Sequence, residues 1–195
     1  MIFKKPGITV SAFSLCGMLC YLSSCLFAVV PFPQSKQEVA IKSIGCFLNV
    51  QGGNEHASGY SVRLWFQGDR IIGLVDYYCG SNSDPSMGIL ADVRYDALSG
   101  KISFKAKLAV GLHTCRIHKN VPSHDMLSFK GYLKPDGLVG DIRLEDMLDS
   151  PSPMVDSRKN FVMLRAVDCG TKDYANHDAW WKEWQAVYQA RGAKW

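Results

Sequence analysis

The chain has 195 residues, of which 47% are hydrophobic and 21% charged. These are the proportions of a globular protein, in a length that suits one domain plus an export segment. Its net charge of +4 includes Lys4 and Lys5, and without them 20 basic side chains stand against 18 acidic ones. A body so near neutrality, with no basic stripe interleaved with aromatics, excludes nucleic acid as the expected partner.

The two lysines precede Ile8 to Val30, 23 residues without a charge. A basic start before an apolar run is the plan of a secretory signal, because the lysines stay on the cytoplasmic side while the apolar segment enters the translocation site. Near the end of that run, Leu22-Ser23-Ser24-Cys25 resembles the bacterial lipobox: an aliphatic residue, two small residues, then a cysteine. The resemblance implies that Cys25 is acylated and becomes the new N-terminus. Leu26, rather than Asp, follows the cysteine, which by likeness to lipoprotein sorting signals favours the periplasmic side of the outer membrane. An uncleaved anchor is the alternative, since residues 8–30 are long enough to span a bilayer. Ordinary signal cleavage is a third. All three export the body to the cell envelope. The expected organisation is a signal peptide at 1–24, a tether at 25–37 that includes Pro31 and Pro33, and a β domain at 38–195.

From Val39 onward the pattern is strand after strand. Val39–Val50 opens it. Val62, Leu64 and Phe66 then alternate with Ser61, Arg63 and Trp65, Arg70–Tyr78 and Met87–Tyr95 follow, and Ile102, Phe104, Ala106 and Leu108 alternate with Ser103, Lys105 and Lys107. Leu127, Phe129, Gly131 and Leu133 continue the period of two, as do Leu138, Gly140, Ile142 and Leu144, and Phe161–Val167 makes an eighth strand. A period of two means one buried face and one wet face. Gln67-Gly68-Asp69, Leu98-Ser99-Gly100 and Lys134-Pro135-Asp136-Gly137 join successive runs as tight turns, with glycine supplying positive φ and proline presetting the first torsion. Short hairpins between one-faced strands predict an antiparallel up-and-down barrel or sandwich of about eight strands, closure being the economical way to remove exposed edges. The hairpins around Tyr95–Phe104, Phe129–Leu133 and Gly137–Ile142 resemble those of calycin-type barrels, at the level of pattern. They lack the lipocalin and avidin signatures, so the resemblance implies no ligand.

The C-terminus alone reads as helix. Asn176 is placed to cap it and Asp178 suits its first turn. Trp180, Trp184, Val187 and Tyr188 share a face. The expectation is that Trp180 and Trp184 close one end of the barrel, with Trp184 packed on it, while Trp181 and Trp195 remain for a partner, a glycan or a bilayer surface.

Cys46, Cys79, Cys115 and Cys169 lie in the body, an even set that in an oxidising compartment reads as two disulfides. Of the three possible pairings, Cys79–Cys115 with Cys46–Cys169 is the expected one, since the second bridge would join the first and last strands. Among candidate chemistries, His113, Cys115, His118, His124 and Asp125 are the densest group of metal-ligand types, but their spacing matches no standard metal motif, and no metal or other cofactor is expected. No Gly-x-Ser-x-Gly elbow frames Ser86, Ser123 or Ser128, and Glu145-Asp146 is placed in an exposed turn. The sequence therefore points to a non-enzymatic binding protein on a membrane, an inhibitor or immunity factor against a hydrolase or toxin. A carrier of a small apolar ligand and an unrecognised hydrolase are the competing readings.

Overall fold

A computed structural model describes residues 38–53, 56–80, 85–108, 124–147, 154–167 and 170–191. The alternating runs form eight antiparallel strands: β1 (Ile41–Leu48), β2 (Ala57–Gln67), β3 (Arg70–Gly80), β4 (Ser86–Asp96), β5 (Lys101–Leu108), β6 (Asp125–Lys134), β7 (Gly137–Asp146) and β8 (Met154–Ala166). Each pairs with its sequence neighbours, and β8 returns to β1, so the sheet is a closed up-and-down barrel. The eighth strand is longer than its apolar signal. Residues 155–160 are mostly polar, yet they are held in register against β7, and a bulge with Asn160 at φ 51° separates them from Phe161.

The inward-facing residues of every strand meet in one core. Phe47, Tyr60, Leu64, Ile102, Phe104, Leu127, Phe129 and Ile142 are among its buried members. Phe104 and Phe129 stack at 5.1 Å, and Phe161 sets its edge on Tyr60 at 5.5 Å. This barrel is filled by its own side chains, as small barrels usually are. Where β6 and β7 cross most closely, Gly131 opposes Gly140, and a Cβ on Gly131 would lie 2.6 Å from Gly140 Cα. Only glycine allows that approach.

The two ends differ. The turn end carries the tight connections Gln67–Arg70, Asp96–Lys101 and Lys134–Gly137, whereas the strand ends that flank the longer connections, at 48 and 57, 80 and 86, 108 and 125, and 146 and 154, all lie at the other end, the loop end. The seam is short: β1 meets β8 only through Cys46, Leu48 and the Phe47 between them, against Ala166, Leu164 and Arg165. Arg165 reinforces it by donating from Nη1 to the Ile44 carbonyl (2.7 Å) and from Nε to the Pro135 carbonyl (2.7 Å).

Beyond β8, Tyr174 meets the first residue of β1 in a single bridge. Tyr174 and Ile41 exchange backbone hydrogen bonds of 2.9 and 3.0 Å. The helix α1 (His177–Arg191) follows. Asn176 caps it as expected, its Oδ1 accepting from the Ala179 N–H at 2.9 Å. The helix does not close an end of the barrel. It lies on the outer wall, where Ile41, Trp65 and Leu74 point away from the core and form a second cluster with Tyr174 and Trp180, joined by Ile72, Ile89, Trp181 and Trp184. Trp65 is the centre: its ring is 5.9 Å from Trp180 and 6.1 Å from Trp184, and its Nε1 donates to the Lys172 carbonyl at 2.9 Å. The physical reason is on β2 and β3. Their outward faces are too apolar to leave wet, so the barrel wall needs a cover there.

Candidate functional site

The sequence-predicted residues scatter. Cys25, Cys115, Cys169 and Trp195 lie outside the described residues, as do His113, His118 and Ser123. Cys46 is a buried free thiol, which overturns the Cys46–Cys169 bridge: its side chain points outward from β1 and meets Ser61 Oγ at 3.6 Å. Cys79 is disulfide-bonded, and its partner lies outside the described residues. Trp181 is half-buried, stacked on His177 with planes 9° apart, and partly used by the wall cluster. Of the helix's two core candidates, Trp180 rather than Trp184 is the fully buried ring, at 2% exposure. Asp146 is not in an exposed turn: it and Asp125 are buried opposite one another where β6 and β7 meet the loop end, and both are engaged by further contacts. Among the described residues, no group of His, Cys, Asp or Glu is placed to hold a metal ion.

One arrangement of polar side chains stands out on the outer wall. Because β1, β2 and β3 are in register, Cys46 lies beside Arg63 and Leu48 beside Ser61, while Ser61 faces Asp76. All of these point away from the core, directly beyond the part of the wall that α1 covers. Together with Val50 and Tyr78 they line a cavity of about 380 Å³. Arg63 Nη2 donates to Asp76 Oδ2 at 2.8 Å, and the two side chains are only 15% and 5% exposed. On its other side the guanidinium lies over the Trp184 ring, 4.5 Å from the centroid. Burial, and then the Asp76 charge, push the Tyr78 hydroxyl above its ordinary pKa, with Arg63 opposing. Tyr78 therefore stays a neutral donor. The lining includes no imidazole, and the carboxylate that faces the Ser61 hydroxyl, Asp76, is paired with the Arg63 guanidinium. With Asp76 committed to Arg63, the arrangement is suited to bind and orient a partner group.

Two other hollows are weaker candidates. A cleft of about 600 Å³ along β4–β7 is lined by Arg94, Asp96, Lys101, Lys130, Tyr132 and Asp141, all solvent-exposed. Where β3 and β4 pair only through Leu74–Tyr77 and Ser86–Ile89, a gap of about 560 Å³ opens towards the turn end. Neither brings a buried charge to its wall.

No family model, curated protein or solved structure matches this chain. The wall site therefore rests on its own geometry. Sequence reading missed Ser61, Arg63, Asp76 and Tyr78, although a signal existed. A tight turn at Gly68-Asp69 sets Arg63 against Leu74, which puts Asp76 on the next diagonal, within reach of a long guanidinium.

Proposed function

We propose that this protein is an envelope-anchored, non-enzymatic binding lipoprotein that recognises another protein through the outer wall of its barrel, as an inhibitor or immunity factor against a hydrolase or toxin. The observation that carries the reading is the cavity on β1–β3, which opens outward beside Trp184 and combines arginine, tyrosine and tryptophan around a buried ion pair. These three residue types dominate binding hot spots, because each presents a large, rigid surface with a polar handle. The filled interior lends no support to a carrier of an apolar ligand, and in the wall site the one carboxylate, Asp76, is tied to Arg63 rather than free to serve as a hydrolase's base. The Leu22-Ser23-Ser24-Cys25 segment supports the anchor.

The test uses the full chain in envelope extract. Val50 rims the cavity and is half-buried, so Val50→Glu places a charge at its mouth without opening the core. The expected result is capture of a discrete protein by the wild type and its loss with Val50→Glu, at unchanged thermal stability. Equal capture by both would show that the wall site is not the recognition surface.

A further inference from the structure

We infer that the turn end of the barrel is a membrane-contacting surface, seated on the bilayer with the fully exposed Leu98 at its tip. The inference rests on the lipid-anchored reading above and adds to it which end of the barrel faces the lipid.

Among the described residues, most of the large apolar side chains left in water are at this end, with Val155 and Met147 at the other. Leu98 is 100% exposed in the β4–β5 turn, and Leu164 is 62% exposed where β8 passes the β6–β7 turn at Gly137. Tyr132 and Val162, each 44% exposed, flank Val139 in one row across β6, β7 and β8. The Leu98 turn belongs to the same surface, because Lys101 pairs with Tyr132 and the Gly100 carbonyl accepts from the Leu133 N–H at 2.8 Å. A leucine at the tip of a tight turn stabilises nothing in the fold. Its neighbours show that the turn is built without it: Asp96 accepts from the Leu98 N–H at 3.0 Å and from the Ser99 hydroxyl at 2.5 Å.

The second observation is where the chain comes from. Val39 lies against Gly68, in the β2–β3 turn, with 3.6 Å between its Cγ1 and the position of a Gly68 Cβ. The route from the anchor thus enters the barrel at the turn end. Residues 25–37 can reach at most about 45 Å, so the tether keeps the barrel near the bilayer without dictating which side faces it. Tethering raises the local concentration of this end at the lipid surface, and even a weak affinity then suffices to orient it. The attraction is apolar. Arg70, Lys101, Lys134 and Arg165 lie at this end, but Asp69, Asp96 and Asp136 stand among them and offset most of a charge-based pull on anionic headgroups.

The experiment places the photocrosslinker p-benzoylphenylalanine at Leu98 in the full chain, in native envelope membranes. Met147, 38% exposed at the loop end, is the control position. The expected result is a phospholipid adduct at position 98 and little or none at 147, persisting at about 1 M salt, where the screening length falls to about 3 Å. Equal lipid adducts at both positions would mean that the barrel tumbles freely on its tether and would overturn the proposal. So would a protein adduct of two chains at position 98, which assigns the patch to a second copy, or an adduct abolished by salt. Absence of any adduct at 98 in a chain that remains with the membrane overturns the orientation alone. Recovery of the chain in the soluble fraction overturns the anchor and the orientation together.

Discussion

Replacing Trp180 with alanine tests whether the wall helix is a structural element of the barrel or an appendage. Trp180 is 2% exposed, and a tryptophan buries up to about 250 Å². At about 25 cal/mol per Å² that is about 6 kcal/mol, an upper bound because the unfolded chain already shields part of the ring. Its Nε1 has no hydrogen-bond partner, and removing an unsatisfied donor returns about 1–3 kcal/mol. The expected loss for Trp180→Ala is therefore about 3–5 kcal/mol, the range for buried tryptophans replaced by alanine. Trp184 is half-buried but contacts both Trp65 and Arg63, and its loss should be about 2–3 kcal/mol on the same area scale. Trp181, stacked mainly on His177, should lose about 1 kcal/mol, in the range of partly exposed positions. Equilibrium denaturation of the three single variants gives the order directly. If Trp181→Ala loses as much as Trp180→Ala, the buried face of the helix has been misjudged; if Trp180→Ala loses less than about 1 kcal/mol, the helix is not part of the cooperative unit.

Other consequences are equally direct. Arg63→Met leaves Asp76 buried beside an apolar chain and should destabilise by about 3–5 kcal/mol, the usual result of removing one partner of a buried pair; a denaturation midpoint unchanged from wild type would mean that the pair is dispensable. Cys46 should resist alkylation in the native protein and react after unfolding without reduction, whereas Cys79 should react only after reduction; mass mapping of the labelled peptides decides both. The hydroxyls of Tyr78 and Tyr174 are raised mainly by burial. The unfolded chain then loses these protons first, so their contribution is intact below about pH 10 and falls as pH rises through the folded values. Tyr78→Phe should flatten part of that alkaline decline, and an unaltered slope in denaturant titrations above pH 10 would count against it. Cys25→Ala should abolish fatty-acid labelling of the chain; labelling that persists assigns the lipid elsewhere.

The strands were legible where one face is wet. Ile102, Phe104, Ala106 and Leu108 alternate with lysine and serine because only one side of β5 is covered, and the same holds for β6 and β7. Legibility failed where tertiary contacts overrode the pattern. Residues 155–160 are polar and pair because β7 already presents a ladder to them. The placement of the helix was misread for a different reason. Ile71-Ile72-Gly73-Leu74-Val75 has no alternation, which is the mark of a strand buried on both faces, and that run called for a cover on the outer wall rather than a plug at the end. The wall site escaped because Arg63 and Asp76 look like ordinary wet-face residues until the helix puts Trp184 over them. The free state of Cys46 was hidden too, since an even number of cysteines says nothing about which of them point at one another.

The seam between β1 and β8 has a kinetic consequence. Every other hairpin joins strands adjacent in the chain, so its pairing closes only a short loop, but β1 and β8 must find each other across nearly the whole domain. Contacts so distant in sequence are the slowest to gain and come late in folding. Here they consist of three residue pairs, the Arg165 contacts and the Ile41–Tyr174 bridge. The barrel is in effect an open seven-hairpin ribbon fastened at one clasp. Amide hydrogens flanking that clasp should exchange with solvent through partial openings, long before those of the central hairpins, which wait for the whole ribbon to come apart.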